Sequence, residues 1–179
     1  MSTLMSEDIN AFVPAGMKLV DSVRGDLTGN GGNDALLVAA APSPADAMLG
    51  QGQPRSVLLL RDQGNGVLQL AARNDRLVPC ERCGGLAGDP YAFSAIHNGT
   101  FSVSVSGGSR ERWASDYHFQ YQADGKRWQL ARVERVVSDT ITDEQKTQQL
   151  DASELGQPGF TDFDPATLPD LPQLGAEGQ

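Results

Sequence analysis

The sequence predicts an all-β protein built from antiparallel strands. Eight segments are rich in β-branched and aromatic residues, and several of them alternate apolar with polar side chains. Glycine, asparagine and aspartate clusters separate these segments at intervals of about ten residues, which is typical of strands joined by short turns. We expect an antiparallel, propeller-blade-like sheet architecture in one domain of residues 12–165. An N-terminal tail, 1–11, and a flexible C-terminal tail, 166–179, flank that domain.

The predicted strands fall into two groups of four. They cover residues 18–24, 35–41, 56–62 and 67–73, and then 92–97, 101–105, 112–121 and 127–136. Gly64-Asn65-Gly66 and Asn98-Gly99 are hairpin signals, because these residue types tolerate positive φ. Residues 143–152 suit a short helix. Beyond Gly156, proline and acidic residues predict a chain that is loosely attached from about Pro169.

Side-chain alternation predicts which strand faces are buried. The residues that share one parity are Phe101, Val103 and Val105 on one strand, Trp113, Tyr117, Phe119 and Tyr121 on the next, and Trp128, Leu130 and Arg132 on the last. We interpret the aromatic residues first as core or cross-strand packing and only second as a binding platform.

Composition narrows the classes of partner. A chain of 179 residues can bury one core, and its formal net charge is −9, from 14 basic and 23 acidic residues. Phosphate binding requires a basic surface, so nucleic acid is excluded as the expected partner. No run approaches the roughly 18 apolar residues of a membrane span. The first fifteen residues include Glu7 and Asp8, and they do not read as a signal peptide.

The most informative motif is the loop of residues 26–34, which reads Asp-Leu-Thr-Gly-Asn-Gly-Gly-Asn-Asp. Calcium binds about six to eight oxygens, and alternate residues of a tight loop can point theirs at one centre. The candidate ligands are the side chains of Asp26, Thr28, Asn30 and Asp34 and the carbonyl of Gly32. Gly31 permits the turn. Because an apolar run follows and Leu37 stands where an EF-hand has glutamate, the loop resembles the calcium loops of integrin-type FG-GAP repeats.

The alternative for this loop is a plain hairpin turn, since glycine, asparagine and aspartate cap their own backbone. Only Asp26 and Asp34 carry formal charge. Calcium affinity rises with the number of carboxylates, so the loop predicts a weak structural site and not a sensor.

Cys80 and Cys83 form a Cys-Glu-Arg-Cys motif that is compatible with several structural interpretations. A zinc site would need His97 and His118 as further ligands. A thioredoxin-like pair would have to open a helix, whereas Pro79 and two following glycines indicate an irregular loop. A small structural disulfide in an oxidising compartment is the preferred interpretation, and two reduced structural thiols are the remaining one.

The stretch Gly107-Gly108-Ser109-Arg110-Glu111-Arg112-Trp113 predicts a tight hairpin with a charged tip. A tip of this kind can enter a partner's cleft, which makes Ser109, Arg110, Glu111 and Arg112 candidate contacts. The alternative is a plain hairpin with a solubilising Arg/Glu pair. Glu81 and Arg82, with Asp89, are the second candidate contact.

No catalytic signature stands out, so we predict that the chain is not an enzyme. Gly-x-Ser-x-Gly is missing, and His118 lies out of phase with the aromatic residues of its strand, which predicts an exposed side chain. Asp162 and Asp164 flank Phe163. Paired carboxylates can hydrolyse glycosidic bonds, but a solvated acidic stretch is the preferred reading of these two.

Several motifs together resemble one family of exported bacterial proteins. They are Phe-Val-Pro-Ala-Gly at 12–16, Asp-Ser-Val-Arg-Gly-Asp-Leu at 21–27, Arg-Asn-Asp at 73–75, the cysteine motif through Gly85 with Gly-Asp-Pro at 88–90, Gly-Gly-Ser at 107–109 and Asp-Phe-Asp-Pro at 162–165. The family includes periplasmic, calcium-bearing immunity lipoproteins that inhibit lysozyme-like peptidoglycan hydrolases in xanthomonad type IV secretion. The likeness spans most of residues 12–165.

This resemblance implies an immunity protein that occludes a cognate antibacterial effector, in particular a basic peptidoglycan hydrolase. It further implies a periplasmic location, structural Ca²⁺, and a lipid anchor in the full-length precursor. Some lysozyme inhibitors carry a Ser-Gly-x-x-Tyr hairpin, and here Arg110 stands at the tyrosine position. The alternative function is a calcium-stabilised envelope scaffold that binds a glycan or a protein, and an unrecognised hydrolase comes third.

Overall fold

The computed structural model describes residues 9–42, 46 and 48–175, and these residues form two antiparallel sheets. The first sheet has the order β1-β2-β3-β4 and the second β5-β6-β7-β8-β9. The strands are β1 (Lys18–Gly25), β2 (Asp34–Ala40), β3 (Arg55–Asp62), β4 (Leu68–Val78), β5 (Tyr91–His97), β6 (Thr100–Gly108), β7 (Glu111–Gln122), β8 (Arg127–Asp139) and β9 (Gln145–Asp151). Consecutive strands are neighbours throughout each sheet. The predicted all-β antiparallel fold is confirmed.

The helix expected at residues 143–152 is wrong, because most of this segment is β9. Its residues pair with β8 in antiparallel register, from Arg132 opposite Asp151 to Ser138 opposite Gln145. Leu150 is buried in the core, and the other residues of the strand are exposed or half-buried. The free edge of β8 therefore overrides the helix propensity of a glutamine-rich stretch. Two 3-10 turns follow this strand, at Ala152–Leu155 and Pro165–Thr167.

One hydrophobic core joins the two sheets. Its buried members include Leu36, Val38, Val57 and Leu59 from the first sheet and Phe101, Val103, Phe119, Trp128 and Val133 from the second. Phe101 and Phe119 stack with their ring centroids 4.9 Å apart, and the ring of Phe160 meets both edge-on. The predicted packing role of the aromatic residues on β6, β7 and β8 is confirmed.

Both faces of β2 are covered, which explains its uninterrupted apolar sequence. Leu36 and Val38 face the shared core, while Ala35, Leu37 and Ala39 belong to a second cluster on the outer face of the sheet. The second cluster is covered by Ile9, Phe12, Val13, Met17 and Leu19. The chain just before β1 thus shields one side of the first sheet from water.

A β-bulge changes the register of β8. His118 pairs with Arg132 but Phe119 pairs with Leu130, so one extra residue is accommodated between the two pairs. Beyond the bulge, Val133 enters the core and Arg132 is exposed. The expectation that Arg132 shares a face with Trp128 and Leu130 is therefore wrong.

The chain after the last 3-10 turn runs along the second sheet as far as the structure describes it. Arg135 Nη1 donates to the carbonyl of Pro169 at 2.6 Å, and Lys146 Nζ donates to that of Gln173 at 2.7 Å. The backbone N–H of Gly175 donates to the carboxylate of Glu144 at 3.0 Å. No helix in the described part of the chain is long and apolar enough to cross a membrane.

Candidate functional site

The loop between β1 and β2 is organised around the carboxylate of Asp26. Its Oδ1 accepts hydrogen bonds from the backbone N–H groups of Thr28, Gly29 and Asn30, and its Oδ2 accepts one from Gly31 at 2.8 Å. Partial burial raises the pKa of this carboxyl, but the four N–H donors outweigh it and hold the pKa below its ordinary value. The first predicted ligand therefore already shapes the loop.

Asp34, the last predicted ligand, is buried and joins three segments. Its Oδ2 accepts from the backbone N–H of Leu27 at 2.8 Å, and its Oδ1 accepts from that of Asp62 at 2.7 Å. Arg24 reaches the same place, with Nε 3.1 Å from the carbonyl oxygen of Asp34. The loop is thereby fixed to the end of β3.

The oxygen atoms of this loop are of the types that hard cations such as Ca²⁺ bind. Thr28 Oγ1 is buried without a hydrogen-bond partner. A Cβ built on Gly32 would lie 2.9 Å from Asn30 Oδ1 and 3.4 Å from Asp34 Oδ1, so these two oxygens flank the same glycine. No three His, Cys, Asp or Glu side chains gather anywhere in the described ranges. A cation here would depend on hydroxyl, amide and carbonyl oxygens beside two carboxylates.

The same loop is tied to the second sheet. The backbone N–H of Gly99 donates to the carbonyl of Asp26 at 2.8 Å, and the indole N–H of Trp128 donates to that of Leu27 at 2.7 Å. Gly99 follows β5 and Trp128 lies in β8. The loop of residues 26–34 is thus a junction between the two sheets.

Cys80 and Cys83 form a disulfide, as the preferred interpretation expected. The Cys80 side chain is buried, and its Sγ lies 3.6 Å from the carbonyl oxygen of Gln51. Gly50 donates its backbone N–H to the carbonyl of Arg82 at 2.6 Å. The zinc and redox-helix readings of the motif find no counterpart in this arrangement. The bridged segment is a loop between β4 and β5 that packs on residues 50–52.

The charged hairpin predicted at residues 109–112 connects β6 and β7. Arg110 Nη2 forms a 3.0 Å ion pair with Asp139, and its carbonyl accepts hydrogen bonds from the backbone N–H and hydroxyl of Thr140. The Arg110 hydrogen bond, followed by the N–H of Ile141, lowers the pKa of the Asp139 carboxyl below its ordinary value. Arg110 is therefore engaged in an ion pair although its side chain is 58% exposed, and Glu111 and Arg112 are exposed as well.

The two candidate partner contacts lie side by side in the structure. The backbone N–H of Gly108 donates to the carbonyl of Gly84 at 2.9 Å, and that of Leu86 donates to Ser109 Oγ at 3.3 Å. Gly107 permits this approach, because a Cβ there would lie 3.1 Å from the Cα of Gly84 and 2.7 Å from the Trp113 ring. The disulfide loop and the hairpin tip consequently form one continuous edge of the molecule.

Exposed apolar side chains occur along this edge. Leu86 beside Ser109 is 76% exposed, and Ile141, next to Thr140, is 71% exposed. Met48 and Leu49, which precede the segment packed on Arg82, are exposed as well. We call the surface formed by Glu81, Arg82, Leu86, Ser109, Arg110, Glu111, Arg112 and Ile141 the loop edge. Single exposed hydrophobics are common on protein surfaces, whereas large contiguous apolar patches occur at interaction sites.

The candidate metal loop and the loop edge lie at opposite ends of β6. The turn at Gly99, which contacts the loop of residues 26–34, precedes β6, and the hairpin with Ser109 follows it. Because β6 spans nine residues, at about 3.4 Å each its ends are roughly 27 Å apart. Metal bound at Asp26 would therefore not touch a partner at the loop edge.

Sequence reasoning did not single out Asn74 as a structural residue. Its buried side chain donates to the carbonyls of Phe160 and Phe163 at 2.6 and 2.8 Å and accepts from the N–H groups of Arg76 and Leu77. The predicted strand of residues 67–73 ends one residue before Asn74, whereas β4 continues to Val78, so the strand pattern gave no signal for this buried amide.

The remaining candidates from sequence are spread over the surface. Asp162 is exposed, and Asp164 caps the last 3-10 turn by accepting from the N–H of Ala166. His118 is half-buried and not exposed, because its Nε2 lies 2.8 Å from Glu134 Oε1 on the neighbouring strand. These three residues do not share a site.

Searches against protein-family models, curated proteins and solved structures each found no match to this chain. The likeness to periplasmic immunity lipoproteins therefore stays a prediction that rests on the motifs quoted above.

Proposed function

We propose that this protein is an immunity or inhibitor protein that binds a cognate antibacterial effector through the loop edge and occludes its active-site cleft. The observation that carries the proposal is the convergence of the two candidate contacts, the disulfide loop and the hairpin, with exposed Leu86 and Ile141 beside them. Protein interfaces bury an apolar centre within a polar rim, and exposed Leu86 and Ile141 with their charged neighbours offer that composition.

Charge supports a basic partner. The chain has a formal net charge of −9, and cell-wall hydrolases are commonly cationic because their substrate is anionic. An acidic inhibitor is attracted to such an enzyme over long range, which raises the association rate at low ionic strength. A basic peptidoglycan hydrolase in the periplasm is the effector class that fits both this charge and the disulfide.

Calcium belongs to the proposal as a structural ion. Asp26, Thr28, Asn30 and Asp34 would supply side-chain oxygens, and Gly32 its carbonyl. When bound, the ion would stiffen the junction between the two sheets, because Asp26 and Leu27 connect to Gly99 and Trp128 there. Occlusion of the effector would depend on the loop edge and would require no chemistry from this chain.

The test is a capture experiment with matched variants of the purified protein as bait in lysate of the source organism. Leu86→Asp and Ile141→Asp alter the loop edge, and Val67→Asp introduces the same charge at an exposed residue after β3. We expect the parent and Val67→Asp to capture one dominant hydrolase. The two edge variants should not capture it. The parent should also inhibit this hydrolase in a peptidoglycan assay.

Capture that survives both edge variants would overturn the loop edge as the contact. Recovery of envelope glycans or structural proteins, without inhibition of any hydrolase, would favour the scaffold function instead.

A further inference from the structure

The second sheet has a face that points away from the core, which we call its outer face. Ser115, Tyr117 and Phe119 of β7 are buried on the core side, so the alternate residues of this strand point outward. Exposed side chains occur on the outer face in all five strands, at Phe93, Ser106, Gln120, Arg132 and Thr147. The first sheet differs, because the chain before β1 covers its outer side.

A depression of about 340 Å³ lies on this outer face over β7, β8 and β9. Two rows of outward side chains cross the three strands there. One row is Ala114, Val136 and Thr147, and the other is Asp116, Glu134 and Gln149. The first row is largely apolar and the second is acidic. At about 3.4 Å per residue, the rows are roughly 7 Å apart along the strands.

The two carboxylates of the depression are incompletely neutralised. Asp116 and Glu134 lie directly opposite each other on neighbouring strands, an arrangement of like charges that destabilises a sheet. Glu134 Oε1 lies 2.8 Å from His118 Nε2 and 3.3 Å from Arg132 Nε. Asp116 accepts a 2.5 Å hydrogen bond from Ser104 Oγ, but no basic side chain within the described residues pairs with it. A cation between the two carboxylates would relieve their repulsion.

Arg135 and Gln148 also border the depression, but the charge of Arg135 does not enter it. Both residues lie between the two rows in register, so their side chains point to the core side of the sheet. There Arg135 Nη1 donates to Gln148 Oε1 at 3.1 Å and to the carbonyl of Pro169 at 2.6 Å. The backbone of the sheet therefore separates this guanidinium from Asp116 and Glu134.

The depression is continuous with the loop edge. Arg112 belongs to the loop edge, and it shares the outward alternation of Ala114 and Asp116. Because two residues of a strand span only about 7 Å, a partner bound at the hairpin would also lie over the depression.

We propose that the depression receives an arginine or lysine side chain of the partner that binds at the loop edge. The aliphatic stem of this side chain packs on Ala114 and Val136, and its cationic head lies between Asp116 and Glu134. The spacing of the two rows suits such a stem, since arginine and lysine cover apolar surface with their methylenes while the charged head stays hydrated. The inference rests on the proposed function and names the chemistry by which a basic effector is recognised.

The experiment is a backbone amide NMR titration of the full chain with the blocked peptide acetyl-Gly-Arg-Gly-amide and its lysine counterpart. We expect both peptides to shift the signals of Ala114, Asp116 and Val136. The same peptide with citrulline, a neutral isostere of arginine, should bind at least about tenfold more weakly. Methylguanidinium, which lacks most of the stem, should bind at least about fourfold more weakly than the arginine peptide, the effect of one methylene left in water.

Asp116→Asn removes the charge but keeps an oxygen for the Ser104 hydroxyl, so it should weaken the arginine peptide at least about fivefold in a folded protein. Asp124→Asn, in the exposed turn after β7, removes the same charge and should change the affinity by no more than about twofold, because salt screens distant exposed charges. The proposal is overturned by an absence of arginine-dependent shifts in β7 and β8, by equal shifts with the citrulline peptide, or by equal effects of the two variants.

Capture of the effector separates this inference from the function on which it rests. Asp116→Asn should lower capture of the hydrolase, and Asp124→Asn should not. A parent protein that captures a hydrolase but binds no arginine peptide would keep the immunity function and reject the depression as a contact. Peptide binding by a protein that captures no hydrolase would support the depression as a site for cationic side chains and reject the immunity function.

Discussion

The indole N–H of Trp128 donates a 2.7 Å hydrogen bond to the carbonyl oxygen of Leu27. Trp128 lies in β8 of the second sheet, and Leu27 lies in the loop that follows β1 of the first. Both residues are buried, so water cannot replace either partner. A single side chain thus connects the candidate metal loop to the opposite sheet.

Trp128→Phe should destabilise the protein by removing this donor. The carbonyl of Leu27 would stay buried without the indole, at a cost of about 1–3 kcal/mol in the free energy of unfolding. Urea denaturation followed by circular dichroism measures the change. Trp113→Phe is the matched control, because the half-buried Trp113 indole makes no hydrogen bond within the described residues. Equal losses in the two variants would assign the effect to packing alone.

Asn74→Ala should destabilise the protein more than replacement of an ordinary strand residue would. The Asn74 amide serves four backbone groups, two of which belong to Phe160 and Phe163. Since each buried group left unpaired costs about 1–3 kcal/mol, we expect a loss of at least about 3 kcal/mol. Thermal and urea unfolding provide the measurement.

Asn65→Ala serves as the comparison for Asn74, because Asn65 is exposed and its side chain accepts one hydrogen bond, from the N–H of Val67. A loss for Asn74→Ala no larger than that for Asn65→Ala would contradict the proposed role of Asn74 in fixing the segment of Phe160 and Phe163.

Local sequence patterns predicted most of the strands and the cysteine bridge. The wrong predictions concern residues whose structure depends on contacts with segments far away in the chain. Alternation identified β6 and β7, because their inner residues face one continuous core. Residues 145–151 carry no strong alternation and become a strand only because β8 offers a free edge. The exposed position of Arg132 follows from a bulge, which leaves no clear signal in sequence.

The candidate site was predictable to a similar extent. Spacing identified the loop of residues 26–34 and the hairpin at Ser109 separately. Their separation along β6, and the contact between the hairpin and Leu86, depend on how the two sheets and the disulfide loop pack.

Reduction of the Cys80–Cys83 bridge should lower stability moderately. The bridge has a sequence separation of three, and a ring this small restricts the unfolded chain by about 2 kcal/mol in the chain-entropy model. The Cys80→Ser/Cys83→Ser double variant, compared with the parent by urea denaturation, gives this value. Because Gly84 contacts the hairpin at Gly108, amide signals of the hairpin should shift as well. Hairpin signals that stay unchanged would show that the bridge does not organise the loop edge.

Acid should remove the contribution of Asp26 to stability. Its pKa in the folded protein lies below the ordinary value of 3.8, so the unfolded state binds a proton more readily. The stabilisation is complete above pH 3.8 and is lost as the pH falls through the lower folded pKa. Because Asp26 is close to the surface, we expect less than about 1 kcal/mol.

The urea midpoints of the parent and of Asp26→Asn test the direction of this pH dependence. They are measured with a chelator present, from neutral pH into this acid range. The difference between the two proteins should shrink on acidification. Asp124→Asn, in the exposed turn after β7, controls for the loss of one negative charge. A difference that stays constant or grows in acid would contradict the role of the four N–H donors.

Calcium should raise the melting temperature of the parent if Asp26 and its neighbours bind it. An ion that binds only the folded state adds about 1.4 kcal/mol at a free concentration tenfold above its Kd. Asp26→Asn should abolish the dependence on calcium, and Thr28→Val should weaken it, because the buried Thr28 hydroxyl has no other partner. Differential scanning calorimetry over a calcium series, with magnesium as the comparison ion, measures the effect.

Because the loop lies roughly 27 Å from the hairpin along β6, calcium should alter stability without altering the affinity of the folded protein for a partner at the loop edge. Chelation that abolishes partner capture while the protein stays folded would show instead that the metal loop contributes to the interface. A melting temperature that is independent of calcium in the parent would leave residues 26–34 as a loop held by its own hydrogen bonds, chiefly those of Asp26 and Asp34.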